Sequence, residues 1–166
     1  MSEVRLEIKR VQVNEIPKLA EVANEIWHEY FIPIIGEKQV EYMVEKFQSV
    51  KGITEQSEKG YEYYFALYDD EIVGYFGIQP QEEKLFLSKL YLKKRFRGKG
   101  IATKLFSYIV DIAKSYDKKL IYLTVNKHND NTISVYKHMG FKIVSEQKAD
   151  IGKGFYMDDY IMEYNF

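Results

Sequence analysis

The amino-acid sequence predicts one domain of the α/β (α+β) class, spanning residues 1–166. The length suits a single domain, and an apolar content of 46% is enough to build a hydrophobic core. A strand, a long amphipathic helix and a second strand follow one another between Leu85 and Val125, which is the order of a βαβ crossover. The helix of this unit carries the strongest helical periodicity in the chain.

The first third of the chain is predicted to be mainly helical. Apolar residues suggest a short strand near residues 6–11. Helical spacing then predicts a helix over Asn14–Tyr30, with Asn14 as its N-cap and Pro17 in its first turn. The segment Phe31–Gly36 contains a proline and a glycine and is predicted to end this helix as a loop. A second helix is predicted from the apolar face formed by Val40, Met43, Val44 and Phe47.

The middle of the chain is predicted to form strands. Tyr63–Tyr68 and Ile72–Ile78 flank a turn at Asp69–Glu71 and are predicted to pair as a hairpin. Another strand is predicted over Leu85–Leu92. The strand after the long helix, Leu120–Val125, is a nearly unbroken apolar run, which predicts that both of its faces are covered.

Three further elements complete the predicted fold. A short helix is predicted over Asn131–Met139, and Gly140 follows it as a natural C-terminal cap. Two last strands are predicted near Phe141–Ser145 and Phe155–Tyr164, with a glycine-containing loop between them.

Composition excludes several classes of function. The chain has no cysteine, which rules out disulfides, a thiolate nucleophile and cysteine-ligated metals. Its histidines, His28, His128 and His138, show no ligand spacing, so no metal site is predicted. The residues Met1–Arg5 carry charges where a signal peptide needs an apolar run, and no segment is long and apolar enough for a membrane span. We therefore expect a cytoplasmic protein without a membrane partner.

Basic residues crowd one short stretch of the chain: Lys89, Lys93, Lys94, Arg95, Arg97, Lys99 and Lys104. Within it, the basic segment Lys93–Ala102 joins the Leu85–Leu92 strand to the long helix. Gly98 and Gly100 leave the backbone open at the helix N-terminus, where unpaired N–H groups and the helix dipole favour a phosphate. The spacing is neither a Walker loop nor a dinucleotide fingerprint, and glycines that only shape a turn remain an alternative. Nucleic acid is not the expected partner, because the net charge of the chain is −1.

The motif Arg97-x-x-Gly100-x-Ala102 resembles the Arg/Gln-x-x-Gly-x-Gly/Ala signature of the GNAT acetyltransferases. A frame from Arg95 through Gly98 to Gly100 also fits, but the first frame puts the preceding strand end where the family has it. A second motif lies in residues 129–141, which are similar to the family's Asn-x-x-Ala-x-x-x-Tyr-x-x-x-Gly-Phe.

In this second motif Thr132 replaces the alanine. Residues 157–162 resemble the family's closing strand. The likeness runs from about Tyr63 to the C-terminus, while the first third matches the family only in its order of elements.

The resemblance implies a GNAT fold, with a central mixed, mostly antiparallel twisted sheet of about six to seven strands flanked by about four helices. It also implies an acetyl-CoA-dependent N-acetyltransferase in which an amine attacks the thioester directly, without a covalent enzyme intermediate. Tyr136 is then the general acid for the departing thiolate. The alternative for Tyr136 is ordinary core packing, since it shares a helical stripe with Ile133 and Met139.

The resemblance further implies contacts with acetyl-CoA along three segments. The strand end pairs with the pantetheine arm, the glycine turn holds the pyrophosphate, and the second motif adds polar side chains. The implied binding residues are Leu90, Tyr91, Leu92, Arg97, Gly98, Lys99, Gly100, Ile101, Ala102, Thr103, Asn129, Asn131 and Tyr136.

The acceptor implied by the resemblance is a primary amine, with a small molecule such as a polyamine as the main candidate. Glu25 and Glu29 are candidate residues for binding it, and a solvated acidic face is the alternative. A protein N-terminal acetyltransferase and a non-catalytic acyl-CoA-binding regulator are the competing functions. The apolar residues of Phe31–Ile35 suggest an acceptor-site lid, a homodimer contact or ordinary packing.

Overall fold

The computed structural model describes residues 6–166, which form a seven-stranded sheet and five α-helices. The strands are β1 (Leu6–Arg10), β2 (Glu62–Tyr68), β3 (Glu71–Pro80), β4 (Lys84–Leu92), β5 (Leu120–Asn126), β6 (Lys142–Gly152) and β7 (Phe155–Asn165). The helices are α1 (Ile16–Ile35), α2 (Glu37–Met43), α3 (Val50–Glu58), α4 (Ile101–Ser115) and α5 (Asp130–Met139). Residues 1–5 lie outside the described residues. The expectation about a signal peptide rests on the charges in this segment.

The sheet has the order β1-β2-β3-β4-β5-β7-β6 and is mixed. Its neighbouring strands are antiparallel except β4 and β5, which are parallel and joined by α4. This confirms the predicted α/β class, the mostly antiparallel sheet and the βαβ crossover. No helix within residues 6–166 is long and apolar enough to cross a membrane.

The two parallel strands at the centre of the sheet separate after a short paired stretch. Only Lys84–Phe86 pairs with Leu120–Tyr122, although both strands continue beyond that point. The other edge of β4 stays bonded to β3 as far as Leu92, with a bulge that places Ser88 between two paired residues. A wedge-shaped cleft therefore opens between β4 and β5, and the residues after Phe86 and Tyr122 form its edges.

Helices cover both faces of the sheet. On one face, α4 and α5 bury a core that includes Leu105, Ile109 and Met162. On the other face, α1 and α3 pack on β2 and β3, with Leu19 and Tyr75 among the buried residues. A third cluster joins α1 to α2 and to the β6–β7 hairpin. The cleft lies between these layers and can be reached from both faces.

Several elements differ from the expectations. The prediction that Phe31–Gly36 forms a loop is wrong, because α1 continues to Ile35 through Pro33. Its last turn stays helical because Phe31 is buried and its isoleucines pack in the third cluster, so ordinary packing accounts for this segment. The helix ends at Gly36, whose φ of 87° is unfavourable for other residues.

The second difference is α3, which was not predicted. Its sequence is mostly polar, and only Gly52 and Ile53 are buried. Its one local signal is Ser49, whose hydroxyl accepts a hydrogen bond from the Gly52 amide at 3.1 Å as an N-cap. The third difference is β6, which extends to Gly152 because it pairs along β7 rather than because of its own apolar residues.

The prediction that both faces of β5 are covered is also wrong. Ile121, Leu123 and Val125 are buried, whereas Leu120, Tyr122 and Thr124 are only half-buried. Thr124, on the half-buried face, lines the cleft.

Candidate active site

A cavity of about 550 Å³ fills the cleft between β4 and β5. Its lining comes from α1, the two diverging strands, the start of α4, α5 and β7. On the α1 side the lining is largely apolar, formed by Trp27, Phe31, Ile35, Met43, Phe47 and Met157. The volume is large enough for a small ligand, and the cavity joins the basic segment before α4 to the apolar side.

The cleft edge of β4 offers backbone groups for hydrogen bonding. The Lys93 amide donates to the Val73 carbonyl at 2.8 Å, so the backbone of this residue points toward β3. Strand periodicity then directs the backbone groups of Leu92 and Leu90 the other way, into the cleft. The Leu92 carbonyl accepts a hydrogen bond from Arg97 Nε at 2.9 Å, which leaves Leu90 as the freer position.

The turn before α4 is shaped by two glycines. Gly98 and Gly100 have φ angles of 75° and 80°, and a Cβ on either would meet nothing within 4 Å. These positive φ angles favour glycine by themselves. The alternative that the glycines shape the turn is therefore also consistent with the structure. Within residues 6–166 the amides of 98–103 donate no recorded hydrogen bond, and they surround open space. These donors at the N-terminus of a 15-residue helix can bind an anion.

Not every residue of this turn faces the cavity. Gly98, Gly100, Ala102 and Thr103 line it. The Lys99 side chain is exposed and Ile101 is buried in the core, so neither side chain is part of the lining.

Arg97 lines the cavity, but other groups of the protein already hold its guanidinium. It forms a two-point ion pair with Glu29, with N–O distances of 2.6 and 3.1 Å. It also lies 4.7 Å from the centroid of the Tyr30 ring. The pair attaches the turn before α4 to α1, so Arg97 acts as a positioning residue as well as a cation beside the cavity.

The predicted acceptor residues lie outside the cavity lining. Glu29 is occupied by Arg97, and Glu25 pairs with Lys93 at 3.5 Å. Both carboxylates therefore face the basic segment, and the structure gives them no contact with the cavity. An amine in the cavity would have to find its anion elsewhere.

Tyr136 combines packing with access to the cavity. Its ring is part of the core and meets Phe141 edge-on at 5.2 Å, while the residue also lines the cavity. In the described part of the chain its hydroxyl has no recorded hydrogen-bond partner. Burial, with a smaller effect from Tyr30, raises its pKa well above the usual value, so the phenol stays protonated.

Asn129 and Asn131 both line the cavity at the start of α5. Asn129 is buried, and its Oδ1 accepts a hydrogen bond from the Tyr30 hydroxyl at 2.7 Å. The same hydroxyl lies 2.7 Å from Thr132 Oγ1. Thr132 holds the motif position at which the family usually has alanine. Threonine fits there because it shares the hydrogen bonds that join α1 to α5.

Asp159 is a site residue that the sequence analysis missed. It lies on β7 directly opposite Asn126 of β5, is only 3% exposed and lines the cavity. Burial, and then Asp158, raises its pKa to about 6. The sequence does contain a weak signal, since strand alternation puts one of the two adjacent aspartates on an inner face.

Lys89 is a second missed residue, on β4. It is 5% exposed, and its Nζ donates to Gln56 Oε1 at 2.7 Å and to the Tyr63 hydroxyl at 2.8 Å. Among residues 6–166 it has no carboxylate partner within ion-pair distance. Burial lowers its pKa to about 7, so this amine changes its charge near neutral pH. No cluster suited to a metal ion occurs in the described residues.

Comparisons with known proteins agree on one family. Residues 19–141 match the model of the Acetyltransferase (GNAT) family. The spermidine N(1)-acetyltransferase of Thermoplasma acidophilum is 27% identical over 150 residues, covering 87% of this chain and 93% of that protein. An uncharacterized N-acetyltransferase of Lactobacillus delbrueckii subsp. lactis is 24% identical over 156 residues, covering 87% and 90%.

Solved structures show the same fold. The PaiA N-acetyltransferase of Thermoplasma acidophilum, solved in complex with coenzyme A, superposes with a TM-score of 0.80 at 24% identity. The match covers 98% of this chain and 99% of that one.

Proposed function

Because the chain belongs to the Acetyltransferase (GNAT) family, we propose that it transfers an acetyl group from acetyl-CoA to a small primary amine, such as a polyamine, through a ternary complex. The observation that carries this proposal is the cleft between β4 and β5. It has anion-binding amides on one side, unpaired strand edges in the middle and an apolar chamber on the other side.

The chemistry of the cleft residues supports acetyl-CoA as the acetyl donor. The amides of 98–103 are donors for the pyrophosphate, and the cleft-facing groups of Leu90 extend the sheet toward the pantetheine arm. Acetyl-CoA supplies the thioester carbonyl that the amine attacks. Asn129 and Asn131 add polar side chains beside this path.

The chain's own groups then serve the acetyl transfer. Amides on the cleft edge of β4 stabilise negative charge on the thioester oxygen. Tyr136 donates a proton to the departing sulfur, a role supported by its protonated state and its burial at the cavity. The apolar wall around Trp27 and Phe31 excludes water from the reacting groups.

The polyamine acceptor is supported by the activity for which the Thermoplasma acidophilum relative is named. Because the reaction consumes acetyl-CoA, we propose the cytoplasm as its location. The test is release of free thiol from acetyl-CoA in the presence of an amine panel that contains spermidine, spermine, amino acids and a peptide with a free N-terminus.

The panel separates the candidate functions. Thiol release with spermidine or spermine supports the polyamine acceptor. Release with the peptide alone would favour an N-terminal acetyltransferase. Tight coenzyme A binding without turnover on any amine would favour a regulator and contradict the proposed reaction.

A further inference from the structure

The carboxylate of Asp159 is buried at the cavity, and its fully buried oxygen has no partner in the described residues. Asp159 is 3% exposed, and its Oδ2 has no hydrogen-bond partner among residues 6–166. Buried carboxylates are normally hydrogen-bonded or paired with a cation, because desolvation of an ionised group is expensive. A polar ligand that enters the cavity is the natural partner for this oxygen.

Lys127 does not neutralise Asp159, although it directly follows Asn126, the residue opposite Asp159. It pairs instead with Asp158 and Glu146, each at 3.2 Å. Asp158 and Asp159 are consecutive on β7, so alternation points their side chains to opposite faces of the sheet. Asp158, whose side chain is 44% exposed, has the lysine, whereas the buried Asp159 has no ion-pair partner among residues 6–166.

The sheet register places Asp159 on the side of the cleft opposite α4. Asp159 and Asn126 are directly paired residues of β7 and β5, so they share a face. Leu123 and Val125 lie on the other face, in the core under α4 and α5. A cofactor held by the start of α4 and an amine held by Asp159 would therefore meet in the cleft from opposite faces.

Asp159 also lies near the groups assigned to the reaction. Tyr91, Tyr136 and Asp159 all line the same cavity. Burial raises the pKa of the Tyr91 phenol most, and Tyr136 and then Asp159 raise it further.

We propose that Asp159 binds the ammonium group of the acceptor and takes one of its protons before the amine attacks acetyl-CoA. This inference rests on the proposed acetyl transfer and names the group that recognises the amine. A desolvated ammonium–carboxylate pair becomes two neutral groups when the proton moves, which favours the transfer in an apolar cavity.

The protons balance in this scheme. The ammonium gives one proton to Asp159, and its nitrogen lone pair forms the bond to the acetyl carbon. The carbon–sulfur bond breaks with its electron pair going to sulfur, and the second proton of the nitrogen reaches that sulfur through the Tyr136 hydroxyl. Asp159 releases its proton to solvent after the acetamide and coenzyme A leave.

The test compares Asp159→Asn with Asp158→Asn, a neighbouring change on the opposite face of the same strand. Asp159→Asn should lower kcat/KM for spermidine by about 100-fold or more, and its coenzyme A affinity should stay within about threefold. Asp158→Asn should keep activity. Calorimetry with spermidine and bound coenzyme A should show at least about tenfold weaker binding for Asp159→Asn only.

Stability separates this role from a structural one. Asp159→Asn should melt at a higher temperature than the parent protein, because it removes a desolvated charge. A residue needed only for the fold would give a lower melting temperature and unchanged kinetics.

Two results would overturn the inference. One is kcat/KM for spermidine within about threefold of the parent protein in a folded Asp159→Asn variant. The other is equal spermidine binding by the parent and the variant, including no binding by either. If the parent turns over no amine, the proposed function fails, and the spermidine binding comparison alone decides the role of Asp159.

Discussion

Arg97 and Glu29 form a two-point ion pair, with N–O distances of 2.6 and 3.1 Å, that joins the turn before α4 to α1. The Arg97 Nε also donates to the Leu92 carbonyl at 2.9 Å. The pair therefore connects the helix beside the apolar chamber, the end of β4 and the start of the anion-binding turn. Glu29 therefore holds Arg97 beside the turn at which we propose that acetyl-CoA binds.

The first prediction follows from this pair. Glu29→Gln should raise KM for acetyl-CoA by roughly threefold to tenfold, because a half-exposed ion pair contributes about 1 kcal/mol to holding Arg97. KM for the amine should change less. Steady-state kinetics with each substrate varied in turn measures both.

Glu25→Gln is the matched control, because Glu25 is one helical turn away and, among residues 6–166, forms an ion pair only with Lys93, at 3.5 Å. It should leave both KM values nearly unchanged. A larger rise in KM for the amine than for acetyl-CoA in Glu29→Gln would restore Glu29 as an acceptor-binding residue.

The second prediction concerns the anion-binding turn. Gly100→Asp places a side chain and a negative charge in open space beside unpaired amides, so coenzyme A affinity should fall by about 100-fold or more. Isothermal calorimetry on the folded variant measures this loss.

Gly60→Asp is a control for backbone strain. Gly60 also has a positive φ, of 91°, and a Cβ there would likewise meet nothing within 4 Å, but this glycine lies after α3. The substitution should lower stability without changing coenzyme A affinity. Equal coenzyme A affinities in Gly100→Asp and Gly60→Asp would show that Gly100 is not part of the binding site.

The third prediction separates the two roles of Tyr136. Tyr136→Phe keeps the buried ring and removes only the hydroxyl, so kcat should fall by about 100-fold while the melting temperature barely moves. Coenzyme A affinity should fall by about 1 kcal/mol at most, the value of one hydrogen bond. Unchanged kcat with a lower melting temperature would make Tyr136 a packing residue only.

The fourth prediction is the effect of Asp159 on stability. Burial raises its pKa from 3.8 to about 6, so the folded protein binds more protons than the unfolded chain between these pH values. Stability is therefore lost as the pH rises through this window. Asp159→Asn should abolish the loss and raise the free energy of unfolding at pH 7 by about 3 kcal/mol. Urea denaturation at pH 4, 5, 6 and 7 gives the free energy of unfolding of the parent protein and of Asp159→Asn. The two should diverge as the pH rises, and a constant difference between them would contradict the prediction.

The fifth prediction concerns Lys89, whose pKa burial lowers from 10.5 to about 7. The unfolded chain binds more protons than the folded protein between these values, so this group makes stability rise with pH above about 7. Lys89→Met should remove that rise and stabilise the protein at pH 7. The exposed Lys84, on the same strand, provides the control variant Lys84→Met, which should keep the rise. Urea denaturation at pH 7, 8 and 9 measures the slopes.

The elements that the sequence predicted correctly depend on local patterns. The α4 helix and the strands around it follow from apolar periodicity, and Gly140 ends α5 with a φ of 109° as expected. The elements that it predicted wrongly depend on distant partners. The last turn of α1 is held by apolar contacts with α2 and the β6–β7 hairpin, and the polar α3 helix offers little periodicity to detect.

The sequence by itself determined the βαβ unit, the glycine turn at the start of its helix and the family resemblance, because each lies within a continuous stretch of chain. Only the tertiary structure decided which charges meet in the cleft. Glu29 and Arg97 are 68 positions apart, and their pairing depends on how α1 packs beside the end of β4. The position of Asp159 at the cavity depends on the register of β7 against β5, and a one-residue shift would turn it to the other face of the sheet.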